Sequence, residues 1–90
     1  MANHTARTSS IPKEQRFFLV LRVTGQESYV EFFDREVWGF EPSMYVAGTT
    51  REDFLRELRC YYGDCLHPEE HRYILELVMQ IPWSRVHGAN

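Results

Sequence analysis

The sequence predicts an α+β domain, a three-stranded antiparallel meander sheet followed by two helices on one of its faces, in the order β-β-β-α-α. Three observations predict it. Residues 16–33 hold two apolar segments of strand length around a Gly-containing turn, residues 43–47 form a third, and residues 51–81 switch to two apolar stripes of helical period. Ninety residues with an apolar fraction of 43% suit one economical core and one domain.

Residues 1–14 are polar and without period and read as a flexible arm, residues 15–86 as the folded domain, and residues 87–90 as a frayed end. In the first strand Phe17, Leu19, Leu21 and Val23 share one face and Phe18 and Val20 the other, so a central place in the sheet is expected. Thr24-Gly25-Gln26-Glu27 supplies a turn, and residues 28–33 return antiparallel at hairpin spacing. Residues 34–42 combine Gly, Pro and four charges and read as a loop or a bulged edge that leads to the third strand, which Gly48 ends.

The first helix starts where Thr49 with Glu52, or Thr50 with Asp53, can form a capping pair. Phe54, Leu55, Leu58, Tyr61 and Tyr62 make its stripe, and Gly63 suits a left-handed stop. Pro68 opens the second helix with Glu69 and Glu70 at its positive end. Ile74, Leu77, Val78 and Ile81 form its stripe, Leu75 and Met79 widen it, and burial on more than one side is expected. Pro82 ends the helix, and Trp83 is placed to fold back on the core.

A net charge of −3 gives no global attraction to nucleic acid or anionic membrane. It hides an uneven distribution: residues 1–22 carry Arg7, Lys13, Arg16 and Arg22 against Glu14, whereas residues 27–41 carry five acids against Arg35. No apolar run reaches the roughly 20 residues of a membrane span, and the N-terminal stretch lacks the apolar core of a signal peptide, so a cytoplasmic protein is expected. Thiols stay reduced there, which argues against a disulfide between Cys60 and Cys65.

The densest cluster of reactive side chains is CYYGDCLHPEEH, residues 60–71. Cys60, Cys65, His67 and His71 supply the four N and S ligands a tetrahedral zinc prefers, but all in one helix-turn-helix corner rather than as two pairs from separated elements. We read the corner as a turn: no metal and no cofactor is assigned, with those four residues as the candidates should zinc bind. Cys60 precedes a helix C-terminus, a place that disfavours a thiolate, and no Ser or Cys has a His and an acid arranged beside it. The protein is therefore expected not to be an enzyme.

Residues 29–45 hold six aromatic rings among acidic residues. Helices cover one face of a small sheet, so some of these rings are either exposed to a partner or fill a secondary cluster under the loop, with Trp38 and Phe40 stapling it down; aromatic groups in a charged rim are characteristic of protein interfaces. The expected contact residues are Tyr29, Glu31, Asp34, Glu36, Trp38 and Phe40, facing a protein with a basic surface; Phe32 is expected in the core. Base stacking needs a basic field around the rings and this segment is acidic, so direct nucleic-acid binding is not favoured. The alternative is an accessory domain, zinc-stabilised through the corner or associated with nucleic acid through the basic arm of Arg7, Lys13 and Arg16. An open third-strand edge would also allow pairing with a second copy.

Residues 17–62 resemble the HicB-like antitoxin domain, through Tyr29-Val30-Glu31-Phe32-Phe33-Asp34 and Val46-Ala47-Gly48-Thr49-Thr50-Arg51-Glu52-Asp53-Phe54-Leu55. The resemblance implies a strand-strand-strand-helix unit that inhibits a partner by protein contact and has no catalytic activity.

Overall fold

The computed structural model describes residues 11–37 and 47–87. Its elements run α1 (Lys13–Arg16), β1 (Phe17–Thr24), β2 (Glu27–Asp34), β3 (Ala47–Gly48), α2 (Arg51–Tyr62) and α3 (Pro68–Met79), and a 3-10 turn follows at Trp83–Arg85. The strands form an antiparallel sheet in the order β1-β2-β3, followed by the two long helices, which is the α+β meander the sequence predicts. Residues 43–46 of the expected third strand lie outside the described residues. The single turn α1, held by Gln15 and Arg16 N–H groups donating to the Pro12 carbonyl, starts inside the stretch expected to be an arm.

The β1–β2 register is continuous and divides the hairpin into two faces. Phe17, Leu19, Leu21 and Val23 lie opposite Asp34, Phe32, Val30 and Ser28, and this set faces the helices. Phe18, Val20 and Arg22 lie opposite Phe33, Glu31 and Tyr29 on the other face. In the order β1-β2-β3 it is β2 that lies between neighbours, so the expectation that β1 is central is corrected. Two apolar faces normally mean two covered faces, but here the second is open: Phe18 keeps 40% and Val20 36% of its surface exposed.

The core gathers Phe17, Val30, Phe32, Phe54, Leu58, Tyr62, Ile74, Val78 and Val86. Phe32 is at its centre, with ring centroids 5.8 Å from Phe17, 6.1 Å from Phe54 and 6.1 Å from Tyr62. Gly48 makes room for this packing: a Cβ there would meet the Phe54 Cβ at 3.0 Å and its Cα at 3.1 Å, so only glycine lets β3 approach α2 so closely.

Local signals set the helix limits. Thr50 caps α2 by accepting from the Asp53 N–H at 3.0 Å, and Gly63, at φ 57, closes it with an N–H to the Arg59 carbonyl at 2.8 Å. His67 caps α3 from its side chain to the Glu69 N–H, and the Glu70 carboxylate returns to the His67 N–H, a capping box with Pro68 at the first turn. Ile74 and Val78 are buried on α3, but Leu75 is 36% and Met79 67% exposed, so the helix is buried along one side rather than on more than one as expected. Trp83 does fold back, donating its indole N–H to the Val78 carbonyl at 2.8 Å and packing on Phe54.

The segment after Trp83 closes the sheet. The Ser28 hydroxyl donates to the Arg85 carbonyl at 2.8 Å and accepts from the His87 N–H at 2.9 Å, while the Ser28 N–H donates to the His87 carbonyl. The side of β2 away from β1 is thus taken by β3 at Val30 and Glu31 and by residues 85–87 at Ser28.

Candidate functional site

The expected contact residues divide among three environments. Tyr29 and Glu31 are half-buried on the open sheet face and Glu36 is exposed just past β2, whereas Trp38 and Phe40 lie outside the described residues. Asp34 is fully buried. Its expected role as a surface contact is corrected, and so is that of Arg16 as a solvent-facing cation of the arm, because each is the other's partner.

Arg16 ends α1 with its side chain directed under the sheet. Its Nε donates to Asp34 Oδ1 at 2.7 Å and its Nη2 to Oδ2 at 2.9 Å, the two-pronged arrangement that a planar guanidinium makes with a carboxylate. Its Nη1 donates to Glu70 Oε2 at 2.9 Å. The Tyr62 hydroxyl completes Asp34 Oδ2, and the Glu36 N–H donates to Oδ1 at 3.0 Å. One cation thereby joins the start of β1 to the end of β2 and the start of α3, and Tyr62 adds the end of α2. Every buried side-chain N and O among the described residues has a hydrogen-bond partner.

The electrostatics follow from burial and pairing. Burial alone would lower the Arg16 pKa, but the hydrogen bonds and charge of Asp34, with the charges of Glu70 and Glu36, outweigh it and hold the guanidinium above its ordinary value. Burial first, and then the bond to Asp34, push the Tyr62 phenol well above its usual range. The sign of the linkage is fixed: the native chain keeps this proton where the unfolded chain loses it, at about pH 10. Stability from this group is complete below about pH 10 and is lost as the pH rises further. Tyr62→Phe is expected to flatten that alkaline decline and to cost about 1 kcal/mol at neutral pH. Urea titrations of both proteins from neutral to alkaline pH check it, and an equal alkaline decline in the two would refute it.

In the structure Cys60 lies in the last turn of α2, Cys65 and His67 in the connection that follows, and His71 in α3. Cys60 and Cys65 are free and exposed, the His67 ring nitrogen Nδ1 is engaged by the cap, and His71 stands one turn on. Among the described residues no group of three or more His, Cys, Asp or Glu is placed to hold a metal ion.

Among the described residues, two side-chain surfaces stand out. One is the sheet face away from the helices, where Phe18, Val20, Tyr29 and Phe33 surround an ion pair from Arg22 Nε to Glu31 Oε1 at 2.6 Å. The other is a groove of about 610 Å³ between α2 and α3, floored by Leu55, Leu58, Ile74 and Leu75 with Arg59 and His71 beside it. The sequence reading missed the groove because Leu75 looks like core when the stripe of α3 is counted alone. No helix among the described residues is long and apolar enough to cross a membrane. No protein-family model, no curated protein and no solved structure matches the chain.

Proposed function

We propose that the protein is a small, non-enzymatic binding module of the cytoplasm that regulates or inhibits a partner protein by docking the open face of its sheet. The observation that carries this reading is the pair of apolar residues Phe18 and Val20, exposed on a sheet face whose opposite side already packs on both helices. Tyr29 and Glu31 of the expected contact set share that face, and Glu36 extends it past the end of β2. The acidic groups Glu27 and Glu36 beside the apolar patch favour a partner with a basic surface, such as a protein that itself handles nucleic acid. The resemblance to HicB-like antitoxin domains points the same way, towards inhibition by contact. Two exposed free cysteines suit a reducing compartment.

The test is affinity capture from the native host with Phe18→Asp, with Glu36→Arg and with a groove variant, Leu75→Asp. Phe18 and Glu36 are exposed, so both variants should keep the thermal midpoint within several degrees, a shift of about 1 kcal/mol or less. A specific partner should be lost with Phe18→Asp, weakened by Glu36→Arg and kept by Leu75→Asp. The opposite pattern would move the site to the groove.

A further inference from the structure

The two long edges of the hairpin are treated differently. The outer side of β2 is closed by β3 and by residues 85–87, whereas β1 has no neighbour on its other side among the described residues. Which groups β1 presents there follows from the register. The Arg35 N–H donates to the Arg16 carbonyl, and the Ser28 N–H points away from β1 to His87, so even-numbered residues of β1 bond to β2 and odd-numbered ones face outwards. Phe17 is the first of these, and its N–H is already taken by the Lys13 carbonyl at the end of α1. The free edge therefore consists of Leu19, Leu21 and Val23, whose N–H and C=O groups meet no described residue.

Natural sheets protect such an edge with proline, a bulge or an outward lysine. β1 has none of these: its register with β2 is unbroken, and its one charged residue, Arg22, is drawn across the strand to Glu31. Val23, at the far end, leaves 68% of an apolar side chain exposed on the side of the sheet that carries the core.

We propose that this edge pairs antiparallel with the same edge of a second copy, about a two-fold axis at Leu21. A second copy suits this edge because self-pairing about Leu21 sets aliphatic residues against aliphatic ones and opposes no like charges, Arg22 being paired with Glu31. Leu21 would face Leu21 of the partner subunit and Leu19 would face Val23 of the partner subunit, so every contact on the core side is aliphatic. About six backbone hydrogen bonds form, two for each of the three pairs. On the other side Val20 meets Arg22 of the partner subunit, so no two like charges are opposed and each Arg22 keeps its Glu31. The product is a sheet of doubled width in which the two open faces, each with its Phe18 and Val20, become one surface. This pairing does not depend on the identity of any other partner.

Sedimentation of the full chain over a range of concentrations, together with amide hydrogen exchange, tests the proposal. A reversible dimer is expected, with the amides of Leu19, Leu21 and Val23 exchanging more slowly as concentration rises. Val23→Pro removes an N–H that the β1–β2 ladder does not use, and it should reduce the mass from two chains to one while keeping the helical circular dichroism. Should that variant fail to fold, Val23→Lys and the exchange pattern of the unaltered chain decide the matter. A chain that stays monomeric at every concentration with fast-exchanging edge amides overturns the proposal. So does a dimer whose edge amides remain unprotected.

Discussion

Arg16→Ala is expected to destabilise the protein by about 3–5 kcal/mol, the usual cost of leaving a buried charge without its partner. The loss is large because the guanidinium answers two carboxylates at once. Asp34 has no exposed surface and Glu70 keeps 3%, so neither can replace the missing contacts with water. A domain of this size has about 5–15 kcal/mol in total, so the variant should lose a large share of its stability. Arg16→Lys should recover little, since one ammonium cannot reproduce the fork to Asp34 and the third bond to Glu70. Combining Arg16→Met with Asp34→Leu should be less harmful than the sum of the two single changes, because both members of the buried pair are removed together. Urea unfolding of the four proteins measures the coupling, and an additive result would mean that the pair is not the unit we describe.

Phe32→Ala should cost a similar amount, about 3–5 kcal/mol. Phe32 is fully buried on the middle strand, and its ring contacts Phe17 of β1, Phe54 of α2 and Tyr62 near the Arg16 cluster. Truncation opens a cavity whose walls belong to different elements, so collapse on one side would pull the others out of register. Phe18→Ala on the same hairpin is the control, because that ring lies on the open face beside Phe33 and should cost only about 1 kcal/mol. Guanidinium midpoints for the two variants should differ widely, and similar midpoints would place the core elsewhere.

The helices were legible because their signals are local. Thr50, Gly63 and Pro68 sit within a few residues of the boundaries they set, and the stripe from Phe54 to Tyr62 needs only a helical period to be seen. The hairpin was legible for the same reason, as two apolar runs around Gly25. The central cluster was not. Arg16, Asp34 and Glu70 each look like solvated charges in their own neighbourhoods, and their partners lie 18 and 54 residues away along the chain. Of the expected contact residues, Tyr29, Glu31 and Glu36 are at or near the surface, but the acidic neighbours of Asp34 suggest a surface place for it although its charge belongs to Arg16. The place of β1 is not legible in the sequence, because apolar residues on both faces suggest cover on both and no local feature reveals that the two helices pack on the same side.

The two partners of the Arg16 side chain differ in when they can be reached. Asp34 is separated from Arg16 only by the hairpin, and short loops close early and at low entropic cost. Glu70 becomes available only after α2 has been made and the chain has turned at Gly63, and the Ser28 contacts wait longer still, for residues 85 and 87. During synthesis the hairpin should therefore emerge with Arg16 paired to Asp34 but not yet to Glu70 and with the outer side of β2 unlatched, exposing both edges of the sheet for part of the chain's lifetime on the ribosome.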